Sequence, residues 1–221
     1  MHRIIIDKDS YGTIGINWLV IAVLIVCAIV FIRNRYISIP IVTILLAFAF
    51  FVFWFHRVPD RATPAGDGRT ITSVADGKVV IVEKVFEKEY FKDERIQVSV
   101  YMDFFDVHTN FWPMDGEISY YKYHPGKYLL AFLPKASEKN EHSSSAIRNE
   151  HGEIFFKQIA GTFARRIVCY SKEGESVERG KQCGIIKFGS RIDMYLPLDA
   201  DIKVKVGDFT RACETVIAEL K

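Results

Sequence analysis

A mainly β domain behind an N-terminal pair of membrane-embedded apolar helices is the fold class predicted by three observations. Two long uncharged runs lie together at the front of the chain. Beyond them come short apolar or alternating runs separated by turn residues. A quarter of the 221 residues are charged, yet mean hydropathy is positive, so the apolar residues must be concentrated in one region.

The first run, "NWLVIAVLIVCAIVFI", covers Asn17 to Ile32; the second, "YISIPIVTILLAFAFFVFWF", covers Tyr36 to Phe55. Each is close to the roughly 17 to 25 residues a helix needs to cross the hydrocarbon layer. A signal peptide is the competing reading of the first run, but no small-residue cleavage site follows it and a second apolar run does. Pro40 and the short link also suit a re-entrant hairpin. Trp18, Tyr36 and Trp54 stand near the run ends, where amphipathic rings favour the headgroup layer. Arg3 and Lys8 precede the first run, Arg33 and Arg35 lie in the link, and Arg57, Arg61 and Arg69 follow the second. The outer flanks outweigh the link, which predicts a cell-membrane protein with both termini and its large domain on the cytoplasmic face. The domains expected are therefore a membrane anchor over 1–58 and a β domain over 59–221.

"PDRATPAGDG", Pro59 to Gly68, has linker composition. After it, "GKVVIVEKV", "RIQVSVYM", "GEISYYKY", "GEIFFKQIAG", "RRIVCY", "CGIIKF", "IDMYLP" and "DIKVKVG" have strand character, punctuated by Asp76-Gly77, Asp115-Gly116, Glu173-Gly174 and Arg179-Gly180. "FLPKASEKNEHSSSAIRN" is polar and strand-poor, which predicts a loop with a helical turn. Near the end, "KEGESVERGKQCGII" and "KVGDFTRACETVIAEL" repeat one phrase: strand end, glycine turn, polar step, strand. This resembles the barrel-sandwich geometry of biotinyl and lipoyl carrier domains, with Gly-Ser where those carriers present a modifiable lysine.

The formal net charge of +2 and the lack of a long basic block exclude a nucleic-acid partner. Cys27, Cys169, Cys183 and Cys213 show neither CxxC nor Cys/His ligand spacing, so structural zinc and a disulfide framework are not expected. Free thiols agree with a reducing compartment.

One strand carries an anomaly. "GIIKFGSRIDMYLP", Gly184 to Pro197, is interrupted by Gly189-Ser190-Arg191. Glycine within a strand marks a bulge, a bend or a close backbone approach. The blocks "SVADGKV", "MDFFDVHTNFWPMDGEI", "YHPGKYLLAFLPKASEKNE", "QIAGTFARRIVCY" and "IIKFGSRIDMYLP", in this order, resemble the phosphatidylserine decarboxylase proenzymes, in the short branch with Gly-Ser-Arg in place of Leu-Gly-Ser-Thr.

The resemblance implies self-processing between Gly189 and Ser190. The Ser190 hydroxyl would attack the Gly189 carbonyl and turn the amide into an ester. β-Elimination would leave dehydroalanine, and hydrolysis would give a pyruvoyl group with release of ammonia. The products are a long chain 1–189 and a short chain 190–221, held together as a heterodimer. Glycine leaves the attacked carbonyl unobstructed. A serine hydroxyl needs a positioned base; His108 is the candidate, with Asp76 to orient the imidazole. Where the longer branch has a second histidine, this sequence has Phe111. The covalent pyruvoyl cofactor would form a Schiff base with the serine headgroup and accept the electron pair released with carbon dioxide, giving phosphatidylethanolamine without a metal. Lys127, Asn140 and Arg191 are candidates for binding the lipid phosphate, with Arg165-Arg166 ranked below them. The anchor would keep the enzyme beside its phospholipid substrate. Two alternatives share most of these features: a membrane-anchored adaptor without catalysis, and a decarboxylase of an ether-linked serine phospholipid.

Overall fold

The computed structural model describes residues 4–129, 139–161, 167–187 and 190–221. It divides into two compact units, one ending at Pro59 and one running from Asp60 to Lys221.

The first unit is a helical hairpin whose ends are tied by two short strands. Strand β1 (Ile4–Ile6) leads to helix α1 (Tyr11–Phe31), helix α2 (Arg35–Phe55) and strand β2 (Arg57–Pro59), which pairs antiparallel with β1. The link turns tightly because Asn34 caps α2, its Oδ1 accepting the Tyr36 N–H at 3.0 Å. Pro40 lies inside α2 and removes the backbone hydrogen bond to the Tyr36 carbonyl. Trp18 Nε1 donates to the Ala49 carbonyl at 3.1 Å and joins the helices. Both helices are long and apolar enough to cross a membrane. Only 17% and 11% of their apolar windows are buried, unlike the core helix of a soluble protein. Ile16 and Leu19 are more than two-thirds exposed, so most of the apolar surface points outward, while Ile14, Ile21 and Ala28 form a buried stripe.

The second unit is mainly β. In chain order its strands are β3 (Thr70–Thr72), β4 (Gly77–Glu87), β5 (Asp93–Met102), β6 (Thr109–Phe111), β7 (Gly116–His124), β8 (His142–Asn149), β9 (Gly152–Ala160), β10 (Ile167–Cys169), β11 (Ser176–Val177), β12 (Gln182–Ile186), β13 (Ser190–Leu196), β14 (Asp201–Ile202), β15 (Phe209–Thr210) and β16 (Val216–Glu219). Among the described residues, eight form one sheet in the order β11-β7-β8-β9-β13-β5-β4-β15, curled into a half-barrel. Two three-stranded sheets, β10-β12-β6 and β14-β16-β3, add to one shared core with Val100, Met102, Phe156, Ile186, Met194 and Ile217. Alternation along β13 explains its place. Ile192, Met194 and Leu196 face that core, while Tyr195 packs with Phe155 and Ala146 on the other face. A strand covered on both sides must sit mid-sheet, and β13 lies between β9 and β5.

Two expectations are corrected. "HSSSAIRN" is a central strand, β8, and not loop; its hydroxyls are satisfied laterally. Ser143 donates to Gln158 Oε1 at 2.9 Å, Ser144 to Glu89 at 3.1 Å, and Ser145 lies 2.6 Å from Ser171. Those bonds remove the cost of burying serine, which propensity alone cannot foresee. The stretch 59–68 is irregular yet pinned: Arg61 binds Asp76, and Arg179 Nη2 donates to the Pro64 carbonyl at 2.7 Å. The polar stretch over 130–138, Arg165-Arg166 and Gly189 lie outside the described residues.

Candidate active site

Ser190 opens β13 with no solvent exposure, in register with Met102 of β5 and Ala160 of β9. Its Oγ donates to the Met102 thioether at 3.6 Å, a weak acceptor. Asn110 Nδ2 approaches the same sulfur at 3.8 Å, and Gln158 Nε2 donates to Asn110 Oδ1 at 2.8 Å. Asn110 and Gln158 lie within motif blocks of the sequence, but only folding brings them together beside Met102. A fully buried residue lined by Met102, Ile192 and Ala160 fits a reactive carbonyl derived from serine, because bulk water is kept away from it.

His108 is fully buried just before β6. Its carbonyl accepts the Ile186 N–H at 3.2 Å, tying it to the strand that leads into Ser190. Its Nδ1 lies 3.0 Å from the Asp106 carbonyl oxygen, which can only accept. In the neutral ring Nδ1 therefore carries the proton and Nε2 the lone pair, the form a base requires.

Asp76 ends the turn before β4. Gly77 is needed there: its φ is +148°, and a Cβ would stand 2.2 Å from the Tyr101 carbonyl oxygen. The Asp76 carboxylate is held by both guanidinium nitrogens of Arg61 and accepts the Ala212 N–H at 2.8 Å. His108 is not among its hydrogen-bond partners. Burial alone would lower the Arg61 pKa, but the bond to Asp76 and its charge outweigh this and raise it. Beside them, burial pushes the Cys213 thiol up to about 12, so it stays un-ionised. Arg61 was hidden from sequence reasoning because the linker composition around it masks its pairing.

The phosphate candidates separate. Lys127 is exposed. Asn140 points inward, its amide donating to the Leu129 carbonyl at 2.8 Å and the Ala160 carbonyl at 2.7 Å while accepting the Leu129 N–H at 2.9 Å. It pins the 127–129 segment to the strand beside Ser190. Arg191 is fully buried, Nε 2.8 Å from Asp193 Oδ1.

The class is a mainly β domain with a fully buried serine at a strand start, a buried histidine whose carbonyl bonds the strand before it, and an ion-paired aspartate. The family model for phosphatidylserine decarboxylase matches residues 48–218. A phosphatidylserine decarboxylase proenzyme of Amoebophilus asiaticus is 47% identical over 170 residues, 76% of this chain and 75% of that protein. One of Cytophaga hutchinsonii is 45% identical over 169 residues, 76% of each, and one of Prosthecochloris aestuarii is 40% identical over 184 residues, 83% and 84%. The chain belongs to the phosphatidylserine decarboxylase family, and it is an enzyme.

Proposed function

We propose that this chain is a proenzyme that cuts itself between Gly189 and Ser190 and then converts phosphatidylserine to phosphatidylethanolamine. The observation that carries the reading is the complete burial of Ser190 at the head of a central strand, with His108 tied through its carbonyl to Ile186 on the approach to that serine. A solvent-shielded hydroxyl whose acceptor among the described residues is a thioether is cheap to redirect towards the preceding carbonyl. His108 takes the Ser190 proton at Nε2 as the Gly189 carbonyl is attacked. Asp76 supports the charged imidazole; in the uncut chain it is held by Arg61, so reaching His108 requires that pair to open. The pyruvoyl group derived from Ser190 supplies a conjugated carbonyl that takes up the electron pair left when carbon dioxide departs. His108 then serves as proton donor to the product carbon. Lys127, the exposed cation among the three phosphate candidates, meets the lipid phosphate, while Asn140 and Arg191 hold the strands around Ser190. The helical hairpin anchors the enzyme at the membrane with the β domain on the cytoplasmic face, and the excess of arginine and lysine outside the link supports that orientation.

Intact-mass measurement of protein purified from membranes tests this. Two species, split ahead of position 190 with a blocked terminus on the short one, are expected, and Ser190→Ala should yield a single chain that releases no carbon dioxide. One full-length species in active material would overturn the reading and favour the adaptor.

A further inference from the structure

The face of the large sheet turned away from Ser190 carries a cavity of about 750 Å³, lined by Glu89, Gln97, His124, His142, Lys157 and Tyr195 together with apolar side chains. Lys157 and Tyr195 alternate with the core residues Phe156 and Met194, which sets the cavity opposite the core. Three elements converge there: the β4–β5 turn with Glu89, the end of β7 with His124, and the start of β8 with His142. One donor atom from each lies within 4.8 Å of the others.

The detailed geometry suits ligation. Glu89 is held in its turn because the Glu87 carboxylate accepts the N–H groups of Glu89, Tyr90 and Phe91, each at 2.8 Å. Glu89 Oε1 stands 2.6 Å from His124 Nε2. Its Oε2 is balanced by Lys157 Nζ at 2.6 Å and accepts from Ser144 Oγ at 3.1 Å. His142 Nδ1 lies 2.7 Å from the Asn140 carbonyl oxygen, which fixes the proton on Nδ1 and the lone pair on Nε2. The two imidazoles stack with centroids 4.4 Å apart.

We propose that Glu89, His124 and His142 form a binding site for one divalent transition-metal ion of the zinc, cobalt or nickel class. Two imidazoles and one carboxylate are a borderline-soft donor set, unlike the all-oxygen sets that calcium and magnesium select. The ion takes Nε2 of the neutral His124 ring, whose single N–H proton then sits on Nδ1, and meets Glu89 Oε1. His124, a quarter exposed, turns about its ring bond so that Nε2 leaves the stack and faces the ion. The cavity admits water to the remaining position. Lys157 and Ser144 hold the second carboxylate oxygen in the role of outer partners. An anion is disfavoured, since Glu83, Glu87 and Glu89 all line the space. The site also connects to the serine strand: the Asn140 that accepts from His142 donates to the Ala160 carbonyl, and Ala160 lies opposite Ser190.

The test uses the full chain in detergent, stripped with chelator and dialysed. Cobalt(II) is titrated with visible absorption as readout, zinc binding is measured by equilibrium dialysis, and zinc-dependent melting is followed in parallel. One equivalent per chain is expected, with a zinc-dependent rise in melting temperature. His124→Ala and His142→Ala should each weaken binding by about tenfold or more, while Lys157→Met keeps the stoichiometry. Should His142→Ala fail to fold, His124→Ala and Glu89→Gln carry the comparison. Absence of stoichiometric binding, or binding unchanged in the histidine variants and therefore belonging to the cysteines, overturns the proposal.

Discussion

The guanidinium of Arg61 grips the carboxylate of Asp76 from both nitrogens, with Nη2 standing 2.7 Å from Oδ2. The side chains are only 6% and 13% exposed, so removing one leaves the other charged and largely desolvated. Arg61→Ala should cost about 3 kcal/mol of stability. Arg61→Lys keeps the charge without the fork and should cost less. Urea denaturation of the two variants checks the order.

His108 should matter to the rate of splitting more than to the fold. His108→Ala is expected to slow self-cleavage by roughly a hundredfold to ten-thousandfold, the usual range for a positioned base. Gel analysis of freshly translated chain over time measures it. Unaltered splitting would remove His108 from the base role.

Acid should destabilise the fold through the cluster on the opposite face. Burial would raise the Glu89 pKa, but the hydrogen bonds and charges of Lys157 and His124 outweigh it and bring it from 4.5 to about 2. A depressed carboxylate stabilises fully above its unfolded pKa, and that contribution is lost as pH falls from 4.5 through about 2. The His142 pKa is lowered from 6.5, so the unfolded chain takes up its proton first and stability begins to fall below that value. Urea midpoints measured against pH should show both limbs, and Glu89→Gln should abolish the lower one.

Gly77→Ala should destabilise by about 1 to 3 kcal/mol through strain at a positive φ. The added methyl meets the Tyr101 backbone oxygen, which cannot move without breaking the β4–β5 ladder. Thermal melting of the variant measures the loss, and a neutral result would mean the turn can relax.

The outline of the fold was legible because hydrophobic period and turn residues act locally. The two apolar runs, the glycine-punctuated strands and the buried β13 all announce themselves within a few residues. β8 did not, since its serines are polar by type and are satisfied only by Gln158, Glu89 and Ser171 from other parts of the chain. The same reason hid Arg61 beside Asp76, and Asn110 and Gln158 beside Met102. The Glu89, His124 and His142 cluster has no ligand spacing because three separate segments supply it. Asn140 and Arg191, phosphate-binding candidates in the sequence, lie inside the fold, because polar type reveals nothing of which neighbour will claim it.

β13 is hydrogen-bonded along its length to β9 on one flank and β5 on the other. A break ahead of Ser190 would sever one covalent link and spare both ladders, and the tail behind it would still knit into the body through β15 against β4 and β16 against β3. The fragment would then behave as a captive: dilution, salt and detergent should leave it in place, and only conditions that melt the entire half-barrel should set it loose.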